Sequence, residues 1–81
     1  MSQPNLHAHL GNLHPGQSGK VTAVGGNGTV RRRLMELGVV SGTPVRVVRL
    51  APFGDPIQIE LRGYHLSLRR AEAERVRVEP A

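Results

Sequence analysis

The sequence predicts a mainly β fold: a small, SH3-like, partly open barrel of about five strands, with one short α-helix inserted after the first strand. Three observations point there. Apolar and polar residues alternate in several short runs, most cleanly at Ile57-Gln58-Ile59-Glu60-Leu61. Glycine- and proline-bearing turns separate most of these runs and are too short for crossover helices, so those neighbouring strands must run antiparallel. Only the window from Val30 to Gly38 has helical spacing, with Val30, Leu34 and Leu37 at i, i+4 and i+7 before a glycine able to end the helix.

Residues 1 to 12 carry two histidines, one proline and few apolar groups, and are expected to form a loosely ordered, flexible lead-in. The domain is expected over residues 13–79. Gly16-Gln17-Ser18-Gly19 is turn chemistry, and Lys20 to Val24 then alternates as a strand with Val21 and Ala23 on one face. Gly25-Gly26-Asn27-Gly28 breaks that strand, and Asn27 or Thr29 can cap the helix that follows. So short a helix cannot hold itself together in water, so its apolar face must be docked. Ser41-Gly42 turns the chain into a second strand, Thr43 to Leu50, in which Arg49 falls on the face of Val45 and Val47. A phase change of that kind marks a bulge or bend, the device by which a small sheet curls. A loop over residues 51–56 leads to the strand from Ile57 to Leu61, and Gly63-Tyr64 turns it back. Leu66 and Leu68 face inward on the next strand, a single helical turn spans Arg70 to Glu74, and Val76 and Val78 form the last strand. The inward set is Val21, Val30, Leu34, Leu37, Val45, Val47, Ile57, Ile59, Leu61, Leu66, Leu68, Val76 and Val78. Each contributes roughly 1.5–3 kcal/mol on burial, and none remains to line a substrate cavity.

Eighty-one residues make one domain near the lower limit for a self-sufficient core. The absence of cysteine removes disulfides and thiolate chemistry and suits a reducing compartment, so a cytoplasmic location is expected. No run of ~18 apolar residues and no signal-like N-terminus is present, so contact with a membrane is expected only through a partner or the surface. The net charge of +5 comes from ten arginines and Lys20 against five glutamates and Asp55. Such a balance suits RNA, anionic lipid or an acidic protein surface, but only Phe53 and Tyr64 could stack on bases, which argues against single-stranded RNA. The carboxylates are scattered on outward positions and no serine sits in a nucleophile elbow, so no catalysis is expected. Gly25 to Gly28 lacks the Lys-Ser/Thr pair of a phosphate loop and reads as a flexible connector.

The residues left for function are few. Arg31, Arg32 and Arg33 crowd the positive end of the helix dipole while Glu36 sits near its negative end, each placement costing about 0.3–1 kcal/mol at an exposed site. Either this is a solvated face with Arg32 and Glu36 paired at i, i+4, or the arginines meet acidic groups elsewhere in the fold or on a partner. Phe53 is the one large apolar side chain that the alternation does not send inward; it plugs one end of the barrel, the plainer reading, or contacts a partner. His7 and His9 would share a face if extended and, with His14, are weak candidates for a metal, with no second shell to orient them. His65 reads as a surface residue.

Four segments in order resemble the FeoA family of small cytoplasmic SH3-like proteins associated with bacterial ferrous iron uptake: residues 13–21, LHPGQSGKV; residues 33–45, RLMELGVVSGTPV; residues 51–56, APFGDP; and residues 63–76, GYHLSLRRAEAERV. The Gly25–Gly28 insert and the first dozen residues depart from that pattern. The resemblance implies a non-enzymatic accessory that contacts the cytoplasmic GTPase part of the FeoB-type ferrous iron transporter, near the inner face of the inner membrane. The expected contact surface combines Arg31, Arg32, Arg33, Phe53 and the exposed turn at Tyr64. No nucleic acid and no tightly held cofactor is expected, with weak Fe2+ association through His7, His9 and His14 as a rival and self-association left open. Similar domains occur fused to iron-dependent repressors, so a basic module binding RNA or a metal-responsive regulatory domain is the alternative.

Overall fold

The computed structural model describes residues 8–26 and 28–81. Five strands, β1 (Ser18–Val24), β2 (Pro44–Leu50), β3 (Ile57–Leu61), β4 (Tyr64–Leu68) and β5 (Val76–Pro80), form one sheet in the order β4-β3-β2-β1-β5 with all neighbours antiparallel. Helix α1 (Gly28–Glu36) lies between β1 and β2 in the chain, and α2 (Arg70–Ala73) between β4 and β5. The mainly β class, strand count and inserted helix are those the alternation predicts.

Strand β3 is the most regular because it lies between β2 and β4 and buries Ile57, Ile59 and Leu61 while Gln58 and Glu60 remain partly exposed. The phase change in β2 is a bulge: Val47 pairs with Ile59 but Arg49 with Gln58, so the extra residue turns Arg49 out to solvent. A second bulge in β1 was not anticipated. Val21 pairs with Val78 and Ala23 with Arg77, so Val21 is buried whereas Ala23 is exposed rather than sharing its face. The β3–β4 hairpin turns on Arg62-Gly63, with Tyr64 already paired to Leu61. Both turn residues have positive φ, 50° and 84°, the conformation in which a two-residue turn matches the strand twist.

Helix α1 ends as Gly38 predicts. Gly38 adopts φ 98°, its amide donates to the Met35 carbonyl at 3.0 Å and the Val39 amide to the Leu34 carbonyl at 2.9 Å, the double closure of a glycine-terminated helix. That closure folds Val39 back over the helix end and buries it completely, so Val39 joins the core although no periodicity marks it. Of the expected helical face Leu34 is fully buried, while Val30 and Leu37 are half-buried; Leu66 is also only half-buried. Asn27, a candidate cap, lies outside the described residues.

The expected lead-in lies partly outside the described residues. Of those described, Leu10 begins a 3-10 turn over Leu10–Asn12 and is fully buried, Leu13 is buried, the Val78 amide donates to the Ala8 carbonyl, and His9 bridges Arg77. The apolar core therefore takes in residues upstream of 13, and Ala73 of α2 closes it from the other side of that turn.

Candidate interaction surface

The three consecutive arginines of α1 have three different fates, because successive helical residues diverge by about 100°. Arg31 reaches back to donate from Nε to the Val24 carbonyl at the end of β1, at 3.3 Å. Arg33 forms an ion pair and hydrogen bond with Glu72 of α2. Arg32 makes no hydrogen bond or ion pair among the described residues and is exposed, and no salt bridge joins it to Glu36. The acidic group expected elsewhere in the fold exists for Arg33 alone.

Glu72 deserves its place in the framework on two counts. Its Oε1 accepts the Arg69 amide at 2.9 Å, capping α2, while Oε2 takes the Arg33 guanidinium, and its side chain is only 14% exposed. Burial pushes its carboxyl up, but the Arg69 amide, the Arg33 guanidinium and the charges of both arginines outweigh that and hold it below the ordinary value of 4.5. The spacing Arg69-x-x-Glu72 was the available sequence signal, weakened because arginine is not a capping residue. On the open sheet surface Arg46 pairs with Glu60 at 2.6 Å; this hydrogen bond and charge hold the Glu60 carboxyl down as well. With Arg70 also paired to Glu74 at 3.4 Å, part of the arginine excess is spent inside the fold, which leaves less for a polyanion.

Tyr64, half-exposed at the start of β4, donates its hydroxyl to the Leu37 carbonyl just beyond α1. It fastens the helix end to the sheet. The loop over residues 51–56, with a cis Asp55–Pro56 peptide, is fastened to α2, where Asp55 Oδ1 accepts the Arg70 amide at 3.2 Å. Phe53 stands at the tip of that loop and is 96% exposed, so it plugs nothing. Thus α2 ties the Phe53 loop and α1 into one framework, in which Arg33 and Tyr64 serve as fasteners while Arg32 and Phe53 remain free.

Sequence reasoning missed Met35, which is 40% exposed on α1. A groove of about 470 Å³ lined by Gly28, Arg31, Arg32, Met35 and Glu36 opens beside it. A second of about 290 Å³ runs between the helix and the outer residues Ala23 and Val24 of β1, sharing Arg31 and Met35. The bulge that turns Ala23 outward builds one wall of this groove, and no single-residue pattern announces a bulge there.

His7 lies outside the described residues. His9 is fixed against the 3-10 turn, its Nδ1 buried without a hydrogen-bond partner, and His14 is exposed. Among the described residues no three histidine, aspartate or glutamate side chains converge to hold a metal. His65, on the outward face of β4, shares a hydrogen bond with Gln58 at 3.3 Å.

The FeoA domain model matches residues 8–80, nearly the whole of the described fold. The chain belongs to the FeoA family. Over 70 residues, 86% of the chain, it is 39% identical to an Fe(2+) transport protein A/Fe(2+) transporter FeoB fusion protein of Porphyromonas gingivalis, and spans 8% of that protein's length. The solution structure of FeoA from Chlorobium tepidum matches with a TM-score of 0.84 at 44% identity, covering 90% of this chain and 70% of that one. The FeoA of Stenotrophomonas maltophilia, an SH3-domain protein solved as a zinc complex, matches at 36% identity and TM-score 0.78, covering 88% of both chains. The FeoA match begins at residue 8 and so takes in the packed stretch from Ala8 to Leu13.

Proposed function

We propose that this FeoA-family chain is a non-enzymatic accessory of bacterial ferrous iron uptake that acts by contact with the cytoplasmic GTPase part of an FeoB-type transporter. The observation that carries it is the Porphyromonas gingivalis relative, in which an FeoA segment and an FeoB transporter are one polypeptide. Covalent linkage holds the two modules of that relative at high effective concentration, and the FeoA fold of this chain makes the corresponding contact through its surface. No helix among the described residues is long and apolar enough to cross a membrane.

The contact we assign is the outer side of α1. Arg32 is exposed without an internal partner, Met35 offers an apolar anchor beside it, and Arg31 and Glu36 complete the rim. An exposed apolar side chain flanked by an unpaired guanidinium is the composition of an interface hot spot. Arg33 and Tyr64 hold the helix that presents this face.

The test is capture of the purified GTP-binding domain of the cognate transporter, with and without nucleotide. Arg32→Glu combined with Met35→Ala should weaken capture by roughly 10-fold or more while leaving the melting temperature in place, since neither side chain is buried. Absence of capture by the unmodified chain in every nucleotide state overturns the function. Capture that ignores the double substitution overturns the surface.

A further inference from the structure

We infer that the Phe53 loop is a second, separate contact: a foot that seats in the interface of an anionic lipid bilayer. Membrane contact is expected through a partner or the surface; this inference names the surface, and it stands independently of the transporter assignment. Phe53 is the sole phenylalanine of the chain and is 96% exposed, the most exposed large apolar side chain among the described residues. The side chain is not waiting on loose chain. Pro52 and Gly54 flank it, the Ala51 amide donates to the Pro56 carbonyl at 3.1 Å, the Gly54 amide to the Ala51 carbonyl at 2.7 Å, and Asp55 anchors the loop to the Arg70 amide. A tip held that firmly loses little conformational freedom on binding.

The charges around the tip have the sign that acidic headgroups need. Arg49 leads into the loop and is turned outward by the β2 bulge, and its side chain makes no hydrogen bond or ion pair among the described residues. Arg69 is exposed where β4 passes to α2, and the pairing of Leu68 with Ile57 brings that point beside the far end of the loop. The Arg70 guanidinium lies 3.7 Å from where a Cβ on Gly54 would stand. Asp55 and Glu74 oppose them in part, Asp55 engaged with the Arg70 amide and Glu74 with its guanidinium. A single protruding ring on a loop bordered by Arg49 and Arg69 suits a soft, laterally uniform surface, since it needs no matching cavity: the ring enters the acyl boundary and these two arginines remain at headgroup level, while the Arg70 guanidinium stays bonded to Glu74 and the Gly11 carbonyl. One ring and a few arginines give reversible attachment no stronger than a lone myristoyl chain, about 10⁴ M⁻¹, so the foot orients a protein already held near the bilayer rather than anchoring it.

The experiment uses the whole chain with large unilamellar vesicles of phosphatidylcholine, alone or mixed with phosphatidylglycerol. Because the chain has no tryptophan, Phe53→Trp places one reporter at the tip. Its emission should shift to the blue with phosphatidylglycerol vesicles, remain unshifted with phosphatidylcholine alone, and return toward the free value as salt is raised. In co-flotation, Phe53→Ser should lower binding of the otherwise unmodified chain about 10-fold or more, and Arg49→Ala with Arg69→Ala should lower it by a similar factor. None of these side chains is buried, so circular dichroism should confirm unchanged folding. Absence of vesicle binding by the unmodified chain, or binding that Phe53→Ser leaves intact, overturns the inference. If Phe53→Ser instead abolishes lipid-free capture of the transporter domain while the unmodified chain ignores vesicles, the loop is a protein contact and the lipid assignment falls.

Discussion

Glu72 provides the sharpest test of how α1 is held in this fold, because one carboxylate both caps α2 and pairs with α1. Replacing it by alanine removes an acceptor for the Arg69 amide, about 0.5–2 kcal/mol for a helix cap, and an ion pair whose arginine is half-exposed, about 0.2–1 kcal/mol. The sum, about 0.7–3 kcal/mol, corresponds to a fall of roughly 3–24 °C in melting temperature for a domain of this size. Glu72→Gln retains much of the capping geometry and isolates the charge. Since the folded carboxyl titrates below its unfolded value of 4.5, its stabilisation is fully present above that value and is lost as pH falls through the folded one. The gap in urea midpoint between the unmodified chain and Glu72→Gln should therefore be wider near pH 7 than near pH 3. Combining Glu72→Gln with Arg33→Met should cost less than the two separate losses added, the mark of a coupled pair. A gap that is the same at both pH values, or strictly additive losses, would refute the assignment of Glu72 as the link between the two helices.

Leu10→Ala should lower stability by about 2–5 kcal/mol, read as a shifted urea midpoint with unchanged slope, because Leu10 is fully buried in the 3-10 turn. A negligible shift would place the start of the folded unit back near residue 13. Tyr64→Phe should cost about 0.5–1.5 kcal/mol through the orphaned Leu37 carbonyl, visible as a lower melting temperature. If the surface assignment holds, it should weaken transporter capture less than Arg32→Glu does.

The parts of the fold legible in sequence were those where one physical signal dominates. The alternation of β3, the glycine stop of α1 and the misplaced Arg49 in β2 each translated into the structure because burial, positive φ and phase have no competing reading at those sites. Leu10 and Val39 were missed for the opposite reason. Leu10 is an isolated leucine in a polar stretch, and Val39 is buried by the backbone path of the helix stop rather than by any period. Ala23 was misplaced because an extra residue in β1 leaves no mark when both neighbours are small or β-branched. Of the candidate surface, Arg32 and Phe53 are exposed as a contact requires, yet sequence could not separate Arg32 from its two neighbours. Three adjacent charges look alike in a chain and diverge only once Val24 and Glu72 are brought to the helix.

The sheet order also dictates when this molecule can exist as a folded body during synthesis. The first strand lies between β2 and β5, and β5 is made after the other four strands, so β1 keeps a bare edge until some fifty further residues have been added. The glutamate that secures α1 likewise arrives late. A nascent chain halted after β4 therefore carries β1 with one edge unpaired and a helix still without its Glu72 tether.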